Sequence, residues 1–338
     1  MIVLSLRSSS IGSYSLCEQS YFLNYGLGIP NVPHNNKATK GNCVHKALEL
    51  LARRKLAEQE MRAEFTDEEI EKTFLVNDLS IERAIEEGYD HYSADTAHLY
   101  PWSQTDFDDV EKWTHTALQF NGGLFNPLKR HVIWPERYFE IELPHKWARY
   151  DYEMPDGSRL RGQLVLRGTI DLVCGIDGFP GAVELVDWKT GQRKDWKTGL
   201  EKDWATLRDD HQLRLYHYVL TKLLPDKDIV VTIVFIRDGG PFTLDYGPRD
   251  IPGTERMLRD TFESIRDNRE PALKTDSWFW CSKVCHYGRT LQPGSKKSIC
   301  KFMRDELQQI GMDRMFERYG DLKMMRDYTG GGKSKDSE

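Results

Sequence analysis

Ala182-Val-Glu-Leu-Val-Asp-Trp-Lys-Thr-Gly191 is the stretch that decides the fold. Five residues of apolar, β-branched-rich sequence lead into Asp187, and Thr190-Gly191 closes the run as a turn. The pattern predicts a buried strand over Ala182–Trp188 that ends on a carboxylate. On a strand, residues i and i+2 share a face, so Asp187 and Lys189 point the same way. Glu184 lies three residues before Asp187 and therefore points to the opposite face, which keeps it out of any site built on Asp187.

Outward from this strand the periodicity alternates. Asp177-Gly178 marks a turn. Ahead of it, Leu160–Gly175 holds a second apolar run through Gly-Thr-Ile-Asp171-Leu-Val, again with a carboxylate. Asp156-Gly157 marks a hairpin turn, and Arg137–Leu143 alternates like a strand. Downstream, Asp209–Leu224 has helical period and Asp228–Ile236 (DIVVTIVFI) is the strongest strand in the chain. Upstream, residues 41–58 read as an amphipathic helix with Val44, Leu48 and Leu51 on one stripe. Residues 8–28 are aromatic-rich and helical, as are 254–269 and 301–327. The order helix, three strands, helix, strand is an α/β sandwich pattern. Residues 52–135 are charged, mostly helical and broken at Pro101 and Pro127, and read as an insertion. The tail 330–338 (GGGKSKDSE) reads as disordered.

Composition sets the outer bounds. The chain has 338 residues, 39% hydrophobic and 30% charged, which suits a packed core and argues against wholesale disorder. No apolar run approaches the roughly 20 residues a membrane span needs. No signal peptide is read at the N-terminus, so a cytoplasmic location and no membrane partner are expected. The net charge of -6 is not that of a protein that coats DNA by bulk charge, although only the field at a site matters for binding. Six cysteines are too few for a disulfide scaffold and read as reduced thiols or metal ligands.

Strand-end carboxylates beside a buried sheet are costly unless something compensates them. A hard divalent cation such as Mg2+ or Mn2+ does so, because it prefers oxygen ligands, and the Trp188 carbonyl offers another oxygen. Phosphodiester hydrolysis calls for this set: a metal lowers the pKa of its water by several units, and an ammonium such as Lys189 orients the attacking water and stabilises developing negative charge. The pentapeptide DWKTG recurs at Asp195–Gly199. The second copy follows the polar stretch Gln192-Arg193-Lys194, with no strand to hold it, so the first copy is preferred. The second, with Arg193, Lys194 and Lys197, reads either as a basic loop at a DNA entrance or as a solvated charged loop.

Gly168–Asp171, Asp187–Lys189 and Gln212–Tyr216 resemble the PD-(D/E)XK nuclease superfamily. Within it the chain resembles the RecB/AddB-type branch, which includes the CRISPR-associated RecB-like exonucleases. That branch adds a GxxxH motif, here Gly41–His45, and a QxxxY motif, here Gln212–Tyr216. Each motif alone is weak; four in order are specific. The resemblance implies a restriction-endonuclease-like core, a mixed central sheet flanked by helices over about 136–240, in one nuclease domain spanning 1–329. It implies that His45 is a metal ligand beside Asp171, Asp187 and Trp188, and that Gln212 and Tyr216 steady Lys189 or the DNA phosphate.

Cys281, Cys285 and Cys300 crowd the cysteine-rich region 278–303, leaving a four-thiolate site one ligand short that Cys17 could supply. The same branch has members with one cysteine before the nuclease core and three after it, holding a 4Fe–4S cluster; the resemblance implies such a cluster here. Zn2+ is the alternative, with His286 as a substitute ligand, and free buried thiols are the plain reading. Cys43 and Cys174 read as core cysteines. The expected function is a metal-dependent DNA exonuclease acting on single strands or duplex ends, in recombination, repair or phage DNA metabolism, with a helicase or recombination protein as a possible partner, since the chain has no P-loop. Two competing readings remain: a non-catalytic DNA- or protein-binding module of a repair complex, and a metal-dependent RNA nuclease.

Overall fold

A computed structural model of the chain describes residues 1–32, 35–64, 80–97, 99–154, 157–195, 199–274 and 278–320. The expected tail at 330–338, the stretch 321–327, Asp156 and Trp196–Thr198 of the second pentapeptide lie outside the described residues. The chain divides into two compact units: Met1–Val32, Tyr138–Gly168 and Ile251–Glu338 form one, and Pro33–Arg137 with Thr169–Asp250 form the other. Eight strands occur among the described residues: β1 (Ser5–Leu6), β2 (Val132–Glu142), β3 (Arg149–Glu153), β4 (Arg159–Gln163), β5 (Val165–Ile176), β6 (Phe179–Lys189), β7 (Asp228–Phe235) and β8 (Gly239–Leu244). The strands β2 and β5 each run from one unit into the other.

The second unit is built on a mixed sheet. β5 and β6 pair antiparallel with Leu172 opposite Val186, across a turn at Gly178 whose φ of 78° suits glycine. β6 and β7 pair parallel with Asp187 beside Ile233, and β7 and β8 pair antiparallel. A parallel pair buried on both faces reads as near-continuous apolar sequence, which is why Val183–Trp188 and Ile229–Phe235 are so rich in Val, Ile and Leu. The predicted helix at 41–58 spans Lys37–Glu64, and its Val44, Ala47, Leu48 and Leu51 pack in one core with Val186, Trp188 and Val234 of the sheet. Asp187 and Lys189 have the opposite parity and leave that core. The helix His211–Leu223 starts at Asp210, whose side chain accepts from the Gln212 N–H at 2.9 Å. The insertion supplies the helices Ile81–Ala97 and Gln104–Gly123 in the same unit.

Two expectations shift at their edges, and one strand is new. β2 begins at Val132, not Arg137, because Pro135 reads as a break but sits inside the strand with Glu136 at φ 43°. β6 begins at Phe179, where it pairs with Ile176. The hairpin strand β8 follows β7 across a turn at residues 236–238 and was not expected; its first two residues, Gly239 and Gly240, have φ of 91° and 116°.

In the first unit, β1 pairs parallel with Val165–Leu166, and β3 and β4 form the expected hairpin, with Gly157 at φ 78° in its turn. The helix Ile251–Asp267 lies over the predicted segment 254–269, and the helix Ile299–Tyr319 over the part of 301–327 up to Tyr319. No helix among the described residues is long and apolar enough to cross a membrane.

Candidate active site

All six side chains expected around the strand-end carboxylates, from His45 to Tyr216, belong to the second unit. Asp187 stands near the C-terminal end of β6 and is fully buried. Lys189 lies two residues on, and its Nζ donates to Asp187 Oδ1 at 2.9 Å. The same Nζ is 2.7 Å from Oδ2, yet Oδ2 receives no directed hydrogen bond. Asp171 comes from the neighbouring strand β5; its Oδ2 accepts from the Trp188 N–H at 2.9 Å and lies 3.4 Å from His45 Nδ1. The shared face expected for Asp187 and Lys189 and the meeting of His45 with Asp171 are thus present. Glu184 points away, into an ion pair with Arg130 at 2.7 Å and a hydrogen bond from Thr232.

His45 reaches Asp171 because the long helix approaches β6 without a side chain at Gly41. A Cβ there would lie 2.6 Å from Thr190 Oγ1, closer than real Cβ atoms come to anything. The glycine and the histidine of the Gly41–His45 motif therefore have separate jobs, one admitting the strand end and one reaching into the site.

Gln212 and Tyr216 share a helix face, and Gln212 reaches Asp187. The Gln212 amide donates to Asp187 Oδ1 at 3.3 Å and to Tyr216 Oη at 2.9 Å, and Tyr216 Oη donates to the Thr169 carbonyl at 2.8 Å. The chain of bonds ties the helix start to both strands. The Lys189 ammonium is itself held by the Asp187 carboxylate.

The sequence reading missed Glu136. Its carboxyl is pushed up to about 8 by burial and by the neighbouring Asp171 carboxylate. Its φ of 43° is unusual for a residue with a Cβ, and strain of this kind costs on the order of 1–3 kcal/mol. An acidic residue one position before an alternating run was the available signal, hidden by Pro135.

The charges divide sharply. Burial pushes Asp187 up to about 6 despite Lys189, with Asp171 adding to the rise. Burial would do the same to Asp171, but His45, Lys189 and the Trp188 N–H hold it below the usual carboxylate range. Burial acts to lower His45 and Lys189, and the carboxylates override it and raise both. A cluster with this many buried carboxyls favours any added cation.

Oxygen donors from Asp171 and Asp187 with one imbalanced buried oxygen, beside an imidazole, fit a hard divalent ion in donor chemistry. Among the described residues no group of three or more His, Cys, Asp or Glu is arranged to hold a metal ion.

That statement covers the cysteines too. Cys17, Cys281, Cys285 and Cys300 all belong to the first unit and are reduced. Burial, then the neighbouring Cys17, Cys285 and Cys281, push Cys300 up to about 12, so the other three thiols lie within electrostatic reach of Cys300. His286 Nδ1 instead meets Thr290 Oγ1 at 3.2 Å. Cys43 and Cys174 are fully buried in the sheet core, as expected. Of the second pentapeptide, the Gly199 N–H donates to the Asp195 carbonyl at 2.7 Å; beside it Lys194 and Glu201 form a bridge, and Arg193 lies over the Phe242 ring at 4.9 Å.

A family model described as the PD-(D/E)XK nuclease superfamily matches residues 6–290. No curated protein matches the chain.

Proposed function

The chain belongs to the PD-(D/E)XK nuclease superfamily, whose members are in general phosphodiesterases, and from that premise we propose that it is a metal-dependent DNA exonuclease of the RecB/AddB-type branch. The observation that carries the proposal is the convergence of Asp171, Asp187, Lys189 and His45 at one strand end, with Asp187 fully buried.

Asp171, Asp187, the Trp188 carbonyl and His45 would hold Mg2+ or Mn2+, with Glu136 as a further carboxyl at hand. The bound ion supplies positive charge to a phosphate and acidifies water beside it. Lys189, beside Asp187, would present its ammonium to the phosphate and to the attacking water. Gln212 keeps Asp187 in its rotamer, and Tyr216 keeps Gln212 in place by its bond to the Thr169 carbonyl. The substrate is DNA with a free end, single-stranded or duplex, in recombination, repair or phage DNA metabolism, with unwinding left to a helicase partner. Cys17, Cys281, Cys285 and Cys300 would hold a 4Fe–4S cluster in the first unit; their shared neighbourhood supports this ligand set.

The test is cleavage of end-labelled DNA, single- and double-stranded, with open and with blocked ends, in Mg2+ or Mn2+. Lys189→Ala is expected to lose about 10²–10³-fold in rate, the scale for removing one charge-stabilising group, and Asp187→Asn at least as much. Full activity in both variants refutes the assignment, and equal cleavage of end-blocked DNA refutes the exonuclease reading. Anaerobic purification should yield brown protein with stoichiometric iron; zinc without iron overturns the cluster.

A further inference from the structure

Residues 278–304 form a small structure of their own within the first unit. A π-turn at Trp280–Val284 runs into the short helix His286–Arg289, and a bridge between Leu291 and Ser298 leads to the helix Ile299–Tyr319. Backbone bonds from Cys285 N–H to the Trp280 carbonyl (2.8 Å), Gln292 to Lys297 (3.0 Å) and Ile299 to Thr290 (2.9 Å) close it. Gly288 leaves no room for a Cβ against the Cys281 carbonyl. Tyr287 is buried, and its Oη donates to the Ile29 carbonyl at 2.7 Å. The segment is therefore held, and its exposed side chains are displayed from a fixed frame.

Those side chains are unusual in two respects. Between Trp278 and Arg304 there are six cations, Lys283, Arg289, Lys296, Lys297, Lys301 and Arg304, and no Asp or Glu, in a chain whose net charge is -6. Lys283, Lys296 and Lys301 are exposed. Within the same stretch, Trp278 is 74% exposed, Phe279 63% and Leu291 59%. The Lys283 ammonium lies 5.9 Å from the centre of the Trp278 ring. Leaving a Trp and a Phe in water forgoes roughly 1.5–3 kcal/mol each in burial, so a display of both among lysines is expected where a ligand covers them. An aromatic face with the Lys283 ammonium beside it, in a stretch whose other charges are all positive, matches a nucleotide, whose base stacks and whose phosphate pairs. A duplex keeps its base faces covered, so the match is to a single strand.

We propose that the 278–304 segment is a single-strand-binding surface, in which unpaired bases stack on Trp278 and Phe279 while Lys283, Lys296 and Lys301 hold the phosphates. It lies in a different unit from His45, Asp171, Asp187 and Lys189. It rests on the nuclease reading only for taking the polyanion to be DNA.

The experiment uses the full chain in EDTA, which stops hydrolysis, with a fluorescein-labelled oligothymidylate followed by anisotropy across a salt series. The double variant Trp278→Ala/Phe279→Ala is expected to bind about tenfold or more weakly. An oligonucleotide lacking bases should bind the unaltered protein as poorly as the normal one binds this variant. The triple variant Lys283→Ala/Lys296→Ala/Lys301→Ala should flatten the slope of log affinity against log salt by about 2, at about 0.7 per single-strand phosphate contact. All changed residues are exposed, and unchanged melting confirms folding. Equal affinity and slope in both variants overturn the proposal, as does equal binding of a baseless strand. Trp278-dependent sedimentation with phosphatidylserine vesicles and no oligonucleotide binding also overturns it, and assigns the surface to anionic lipid. Hydrolysis of a nitrophenyl ester of thymidine monophosphate reports on the Asp187 site alone and should be the same in every variant. If the unaltered protein lacks that hydrolysis but binds oligonucleotide through Trp278, the nuclease reading fails and this one stands.

Discussion

Asp187 illustrates how one residue's burden is shared. A buried carboxylate is costly alone, and here three groups answer it: the Lys189 ammonium, the Gln212 amide and, through that amide, Tyr216. Tyr216→Phe removes the donor to the Thr169 carbonyl and the acceptor for Gln212. It is expected to cost about 1–3 kcal/mol of stability, the usual scale for two hydrogen bonds, and to lower the turnover of DNA by loosening Asp187. Denaturant unfolding and single-turnover cleavage measure the two effects; a loss in stability alone would make Tyr216 structural only. Gly41 makes the complementary case. Alanine would favour the helix by about 1 kcal/mol over glycine, but its Cβ overlaps Thr190 Oγ1. Gly41→Ala should therefore lower the melting temperature, and adding Thr190→Ala should restore it or raise it above that of the unaltered chain. If Gly41→Ala is stabilising by itself, the close approach is not what requires glycine there.

At the scale of elements, ends matter more than middles. The helix Lys37–Glu64 meets the helix Gln104–Gly123 through Lys40, whose Nζ lies 3.0 Å from Asp106 and 2.6 Å from Asp109. Asp106 also closes the capping box with Ser103 at the start of its own helix. Burial works against the ionisation of Asp106, but the Ser103 N–H and the Lys40 ammonium hold its pKa down to about 2, from 3.8. The folded carboxyl is thus the stronger acid. Its contribution to stability is present above about pH 4 and is lost as pH falls towards 2. Lys40→Met keeps the apolar stem and deletes the charge. It should reduce stability at pH 7 and flatten the fall between pH 4 and 2, read by denaturant unfolding at each pH. An unchanged acid limb would show that the pair contributes nothing there. The element types were legible in the sequence wherever the period was clean, as in DIVVTIVFI, and boundaries failed where a proline sat inside a strand, as at Pro135.

Across the whole molecule, the match over residues 6–290 runs through both units, so family membership is a property of the chain and not of one motif. The discontinuous make-up of the units was not legible, because no local pattern tells residues 1–32 that they will pack with 251–320. What the sequence by itself determined was the α/β class, the strand-end positions of Asp171 and Asp187, the shared face of Asp187 and Lys189, and the exclusion of Glu184. Each follows from a period of two or of 3.6 residues, which the backbone imposes locally. Only the tertiary structure decided that Glu136 joins the site, that Gln212 hydrogen-bonds Asp187, that Gly41 makes room for Thr190, and that Cys17 shares a neighbourhood with Cys300. These are meetings between residues far apart in the chain, set by which faces pack together, and no local period encodes them.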